Sequence, residues 1–97
     1  MAPEVALEEP SDFKADVWSL GVILYALISS KVPFQGDDHE QTLDKIINDP
    51  LEFGDESWEG VSGECKELLE LMLEKDQNQR YGIKQVLSHP WFASEWL

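Results

Sequence analysis

Ninety-seven residues are enough for one compact domain and exclude an enzyme built of two full lobes. A hydrophobic fraction of 42%, with four Trp, four Phe and two Tyr, excludes a disordered chain, because so many large apolar side chains offset the entropy of ordering. Twenty acidic residues against seven basic ones give a net charge of −13, which excludes a nucleic-acid partner and favours basic ones.

The elements follow in chain order. A short helix is expected between Pro3 and Glu8, after an opening Met1-Ala2-Pro3-Glu4 that has neither the basic nor the apolar stretch of a signal peptide. The next helix spans 13–30, with Ser11 and Asp12 as candidate N-caps. There Val17, Leu20, Gly21, Leu24, Leu27 and Ile28 repeat at helical spacing, and Trp18, Val22, Ile23, Tyr25 and Ala26 fill the other faces. A helix apolar all round belongs at the centre of a domain. Its uncharged stretch, 17–30, falls short of the ~20 apolar residues a membrane span needs, so no membrane partner is expected.

Pro33 and Gly36 break that helix. Asp38 with Gln41 three residues on has the pattern of a capping box and opens a helix over 38–49, which carries Leu43, Ile46 and Ile47 and stops before Pro50. Residues 51–63 read as an irregular loop. Ser62 caps a helix over 62–75, whose Cys65, Leu68, Leu69, Met72 and Leu73 form a one-sided stripe. A turn from Asp76 leads to a final helix over 82–89 with Ile83, Val86 and Leu87, ending at His89-Pro90. Nothing alternates for long enough to nominate a strand. The expected fold class is all-α.

Cys65, the only cysteine, cannot form an internal disulfide, so an intracellular, cytoplasmic location is expected. His39 and His89 are too isolated for a metal site. A calcium loop starting at Asp76 is excluded, because its fifth, sixth and twelfth places hold Arg80, Tyr81 and Leu87 where an oxygen ligand, Gly and Glu are required.

Five groups of residues, in order, resemble the closing subdomains of a eukaryotic protein kinase. Met1-Ala2-Pro3-Glu4 is similar to the Ala-Pro-Glu motif that ends the activation segment. Asp16-Val17-Trp18-Ser19-Leu20-Gly21-Val22 is similar to the start of the central helix F, and Pro33-Phe34 to the pair after it. Arg80 stands where the family has a late arginine, and His89-Pro90-Trp91-Phe92 resembles the motif that ends many such domains. Trp58 and Val61-Ser62 before the Leu68-Leu69 helix look most like the calcium/calmodulin-dependent and calcium-dependent branch. Leu20 and Tyr81 depart from the tyrosine-kinase pattern, which favours serine/threonine type. Gln77 stands where a proline is usual, and Ala26 where cyclic-AMP-dependent kinases carry a glutamate that reads substrate arginine.

The resemblance implies the helical part of a kinase C-terminal lobe: activation-segment end over 1–12, then helices F, G, H and I. It implies ATP and magnesium for the parent enzyme and none bound by this stretch, since the catalytic groups of a kinase all precede Ala-Pro-Glu. Met1 is accordingly expected to mark a fragment boundary. Glu4 and Arg80 are expected to form a buried ion pair and Asp16 to support the catalytic loop; Asp37, Asp38 and Glu40 are expected either to face a protein or peptide substrate or a docking partner, with a bias to basic sequences, or to form a solvated cluster that caps their helix. The other partner is the rest of the kinase domain. A pseudokinase scaffold and a stand-alone helical interaction module are the alternatives: the residues upstream decide the first, and cooperative unfolding of 1–97 alone the second.

Overall fold

The helix that the sequence places at the centre, α2 (Lys14–Ser29), runs for 16 residues and stops where Ser30 adopts a left-handed φ of 62°. The computed structural model describes residues 1–8 and 13–92. Around α2 are α1 (Pro3–Ala6), α3 (His39–Asn48), a 3-10 turn (Glu56–Trp58), α4 (Gly63–Met72) and α5 (Ile83–Ser88). Among the described residues there is no strand, so the class is all-α.

One face of α2 is covered and another is not. Val17, Trp18, Gly21, Tyr25 and Ser29 are buried, whereas Leu20, Ile23 and Leu27 are 45%, 54% and 77% exposed. Of the six residues that repeat at helical spacing, only Val17 and Gly21 are fully buried. Where every face is apolar, periodicity carries no information about which one has a neighbour.

The covered face meets α4 and the 3-10 turn. Gly21 sets the first contact: a Cβ there would stand 3.0 Å from Leu73 Cδ2 and 3.1 Å from Met72 Cβ, so a bare backbone lets the helices close. From α4, Cys65, Leu68, Leu69 and Met72 all point inward, with Ser62 Oγ accepting the Cys65 N–H at 3.1 Å. Helical structure ends at Met72, short of the expected 75. Trp18 stacks on Phe34 at 5.9 Å between centroids.

The 51–63 segment is irregular except for its 3-10 turn, yet it is firmly held. Asp55 Oδ1 accepts the Ser57 N–H at 2.9 Å and starts the turn. Trp58 then enters an aromatic cluster, 4.7 Å from both Tyr25 and Phe53, and Tyr25 Oη donates to the Glu52 carbonyl at 2.7 Å.

At the head of α3, Asp38 Oδ1 accepts the Gln41 N–H at 2.8 Å. Gln41 Oε1 returns one residue further than a regular capping box would, to the N–H of Asp37 at 2.8 Å. α3 lies against α1. Ser11 and Asp12, the expected caps of α2, lie outside the described residues; Phe13 occupies the cap position and makes no side-chain cap.

Candidate functional site

The loop after α4 is wound so that Arg80 faces inward. Asp76 Oδ1 accepts the Asn78 N–H at 2.9 Å, and the Asp76 carbonyl accepts the N–H groups of Gln79 and Arg80, both at 3.0 Å. The Asp76-Gln77-Asn78 run that hints at a calcium loop is therefore a backbone turn.

Arg80 is 1% exposed and Glu4 2%. Their contact is bidentate: Nη1 donates to Oε2 and Nη2 to Oε1, each at 2.8 Å. The remaining donors go to backbone carbonyls, Nε to Glu74 at 2.7 Å, Nη1 to Lys14 at 3.0 Å and Nη2 to Lys75 at 3.3 Å. All five guanidinium N–H groups are thus satisfied, and the guanidinium carbon lies 5.1 Å from the Trp18 ring centroid. One side chain thereby joins α1, the start of α2 and the segment after α4. Hydrogen bonding to Arg80 holds the Glu4 carboxyl below the usual carboxylate range, against the opposite pull of burial.

The other candidates are dispersed. Asp16 is exposed in the first turn of α2. Asp37, Asp38 and Glu40 gather, exposed, at the N-terminal end of α3, with one Asp38 oxygen engaged by the helix cap. Beside that end a cavity of about 310 Å³ opens between α2 and α3, walled by Val22, Pro33, Phe34 and Thr42. On the far side of α2, Leu20, Ile23, Leu27, Ile83 and Leu87 line an apolar groove of about 290 Å³. Burial raises the Cys65 thiol above its ordinary range, which keeps it protonated and inert.

Two residues escape sequence reasoning. His89 is buried; its Nδ1 accepts the Trp91 N–H at 3.1 Å, so Nε2 carries the proton and donates to Glu67 Oε1 at 2.9 Å. The helix-ending turn assigned to it is present, but its ring is what ties that turn to α4. Lys75 sends its ammonium under α3. In sequence it looks like any surface lysine after a helix, and its carbonyl partners leave no sequence signal.

The sequence model of the protein kinase domain matches residues 1–92. The chain belongs to the protein kinase domain family. It is 37% identical over 95 residues to the smooth-muscle myosin light chain kinase of Gallus gallus, covering 98% of this chain and 5% of that protein. Over 91 residues, 94% of the chain, it is 42% identical to the skeletal/cardiac myosin light chain kinase 2 of Mus musculus, covering 15% of that protein. Over the same length it is 44% identical to the serine/threonine-protein kinase PEPKR2 of Arabidopsis thaliana, of which it covers 19%. The twitchin kinase region from C. elegans superposes with a TM-score of 0.90 at 36% identity, over 94% of this chain and 16% of that one. The chain therefore spans under a fifth of each of these relatives, and its fold is that of the kinase C-terminal lobe.

Proposed function

We propose that this chain is the helical platform of a serine/threonine protein kinase whose parent transfers the ATP γ-phosphate to protein Ser or Thr. The carrying observation is the bidentate Glu4–Arg80 pair within a chain that matches the kinase domain from residue 1 to 92. The pair ties the segment bearing Ala-Pro-Glu to Arg80 and, through it, to the start of α2, which in this reading fixes that segment for a peptide substrate to lie against.

Asp16 in this reading accepts hydrogen bonds from catalytic-loop backbone and holds that loop in place. Its exposure in the first turn of α2 supports this, since the carboxylate is open to an incoming segment. Asp37, Asp38 and Glu40 form an acidic edge beside the α2–α3 cavity, suited to a basic peptide. The apolar groove of α2 and α5 receives the rest of the kinase domain.

In this reading ATP and magnesium belong to the parent enzyme. Among the described residues no three His, Cys, Asp or Glu side chains gather to hold a metal ion, and we assign no step of phosphate transfer to them. Among the described residues no helix is long and apolar enough to cross a membrane, and the buried free thiol of Cys65 fits a reducing cytoplasm. The resemblance to calcium/calmodulin-dependent kinases extends the reading to a calcium-regulated parent.

The test is phosphate incorporation by the intact protein that contains this chain, with magnesium, ATP and a serine peptide rich in arginine. Transfer that falls sharply in Asp16→Asn while the protein stays folded supports the platform. A folded wild-type protein that neither binds ATP nor phosphorylates any peptide makes the chain part of a scaffold instead.

A further inference from the structure

Helix α3 ends without a cap of its own. Of the carbonyls in its last turn, that of Lys45 accepts the Asp49 N–H at 2.9 Å, and those after it have no intrahelical partner. Asp49 then turns to extended backbone before Pro50, so no left-handed residue closes the end.

Lys75 arrives instead, from the segment after α4. Its Nζ donates to the Ile46 carbonyl and stands 3.5 Å from that of Lys45, a cation at the negative end of a helix dipole. The same ammonium lies 4.1 Å from the Phe34 ring centroid and 5.8 Å from that of Trp18. Burial pulls it below the usual lysine range, countered in part by Asp49 and Glu74. α3 buries only Ile46 fully, and its side-chain hydrogen bonds to backbone gather at its head, through Asp38, Gln41 and Thr42, with Lys45 Nζ donating to the Gln35 carbonyl at 3.0 Å. The Lys75 backbone is itself held, because its carbonyl accepts from Arg80 Nη2 at 3.3 Å.

We propose that Lys75 is a positioning residue that caps α3 from across the fold, ties it to the Arg80 clasp, and thereby fixes how Asp37, Asp38 and Glu40 meet a basic peptide. The last step rests on the kinase reading above; the capping does not.

Two variants of the intact protein that contains this chain separate these steps. Lys75→Met keeps an apolar stem over Phe34 and Trp18 but no donor, and Lys75→Arg keeps a cation. In the Met variant amide hydrogen exchange over α3 is expected to quicken about ten-fold while that of α4 stays constant, with the Arg variant largely restored. KM for an arginine-containing serine peptide rises several-fold at constant kcat, and KM for a matched neutral peptide does not. Unchanged exchange over α3 in a folded Met variant overturns the capping. Faster exchange with KM constant for the basic peptide overturns the positioning of the acidic edge. In that event Asp37→Asn with Glu40→Gln tells the two ideas apart: a raised KM shows that the edge reads the peptide without help from Lys75, and a constant KM removes the acidic-edge reading itself.

Discussion

Arg80 meets Glu4 through two parallel hydrogen bonds of 2.8 Å, across 76 positions of sequence. Glu4→Gln keeps the shape of the acceptor and removes its charge, leaving a guanidinium buried without a counter-ion. Such a loss costs about 3–5 kcal/mol. Chemical denaturation of the intact domain is expected to show it as a lower midpoint with an unchanged slope. Arg80→Lys should recover little, since an ammonium cannot reproduce the two-pronged contact or reach all three carbonyls.

The same pair makes stability depend on acid. The Glu4 carboxyl titrates lower in the folded chain than in the unfolded one, so the unfolded state binds more protons as pH falls. The contribution of Glu4 is complete above the ordinary carboxylate range and is lost as pH drops through that range toward the depressed folded value. Thermal melts of the intact domain from pH 7 downward are expected to show a decline that the Glu4→Gln variant lacks in part.

The sequence made the number and order of the helices readable because Pro33, Gly36, Pro50 and the caps Asp38 and Ser62 are local signals. The Glu4–Arg80 pair was readable only through resemblance, as nothing near either residue announces a partner so far away. Which face of α2 would be covered was not readable, because Leu20, Ile23 and Leu27 are as apolar as Val17 and Tyr25. Nor was the role of Lys75, whose two carbonyl acceptors exist at any helix end. What α4 buries was plain, since Glu64, Glu67 and Glu70 mark its outer side.

Gly36 sits against the head of α3. A Cβ there would fall 2.4 Å from Gln41 Cβ and 2.8 Å from the backbone of Gln41 and Thr42, and its N–H donates to Thr42 Oγ1 at 3.0 Å. Gly36→Ala must therefore displace backbone. A destabilisation of about 1–3 kcal/mol is expected, with faster amide exchange confined at first to the opening turn of α3. Gly54→Ala is the control, because nothing lies within 4 Å of a Cβ there.

The open face of α2 gives the same substitution opposite effects in two settings. Leu27 is 77% exposed and Ile23 54%, so in residues 1–97 made alone they stand in water beside Ile83 and Leu87. That peptide is expected to bind a hydrophobic dye and to associate despite its charge of −13. Ile23→Lys with Leu27→Glu should weaken dye binding and shift the peptide toward monomer in sedimentation, with helix content unchanged, since no covered contact is lost. In the intact kinase domain the groove is taken to lie under the remaining segments, and the same pair of charges, buried there, should lower stability sharply. A double variant equally well tolerated in both settings would show that this face of α2 is never covered.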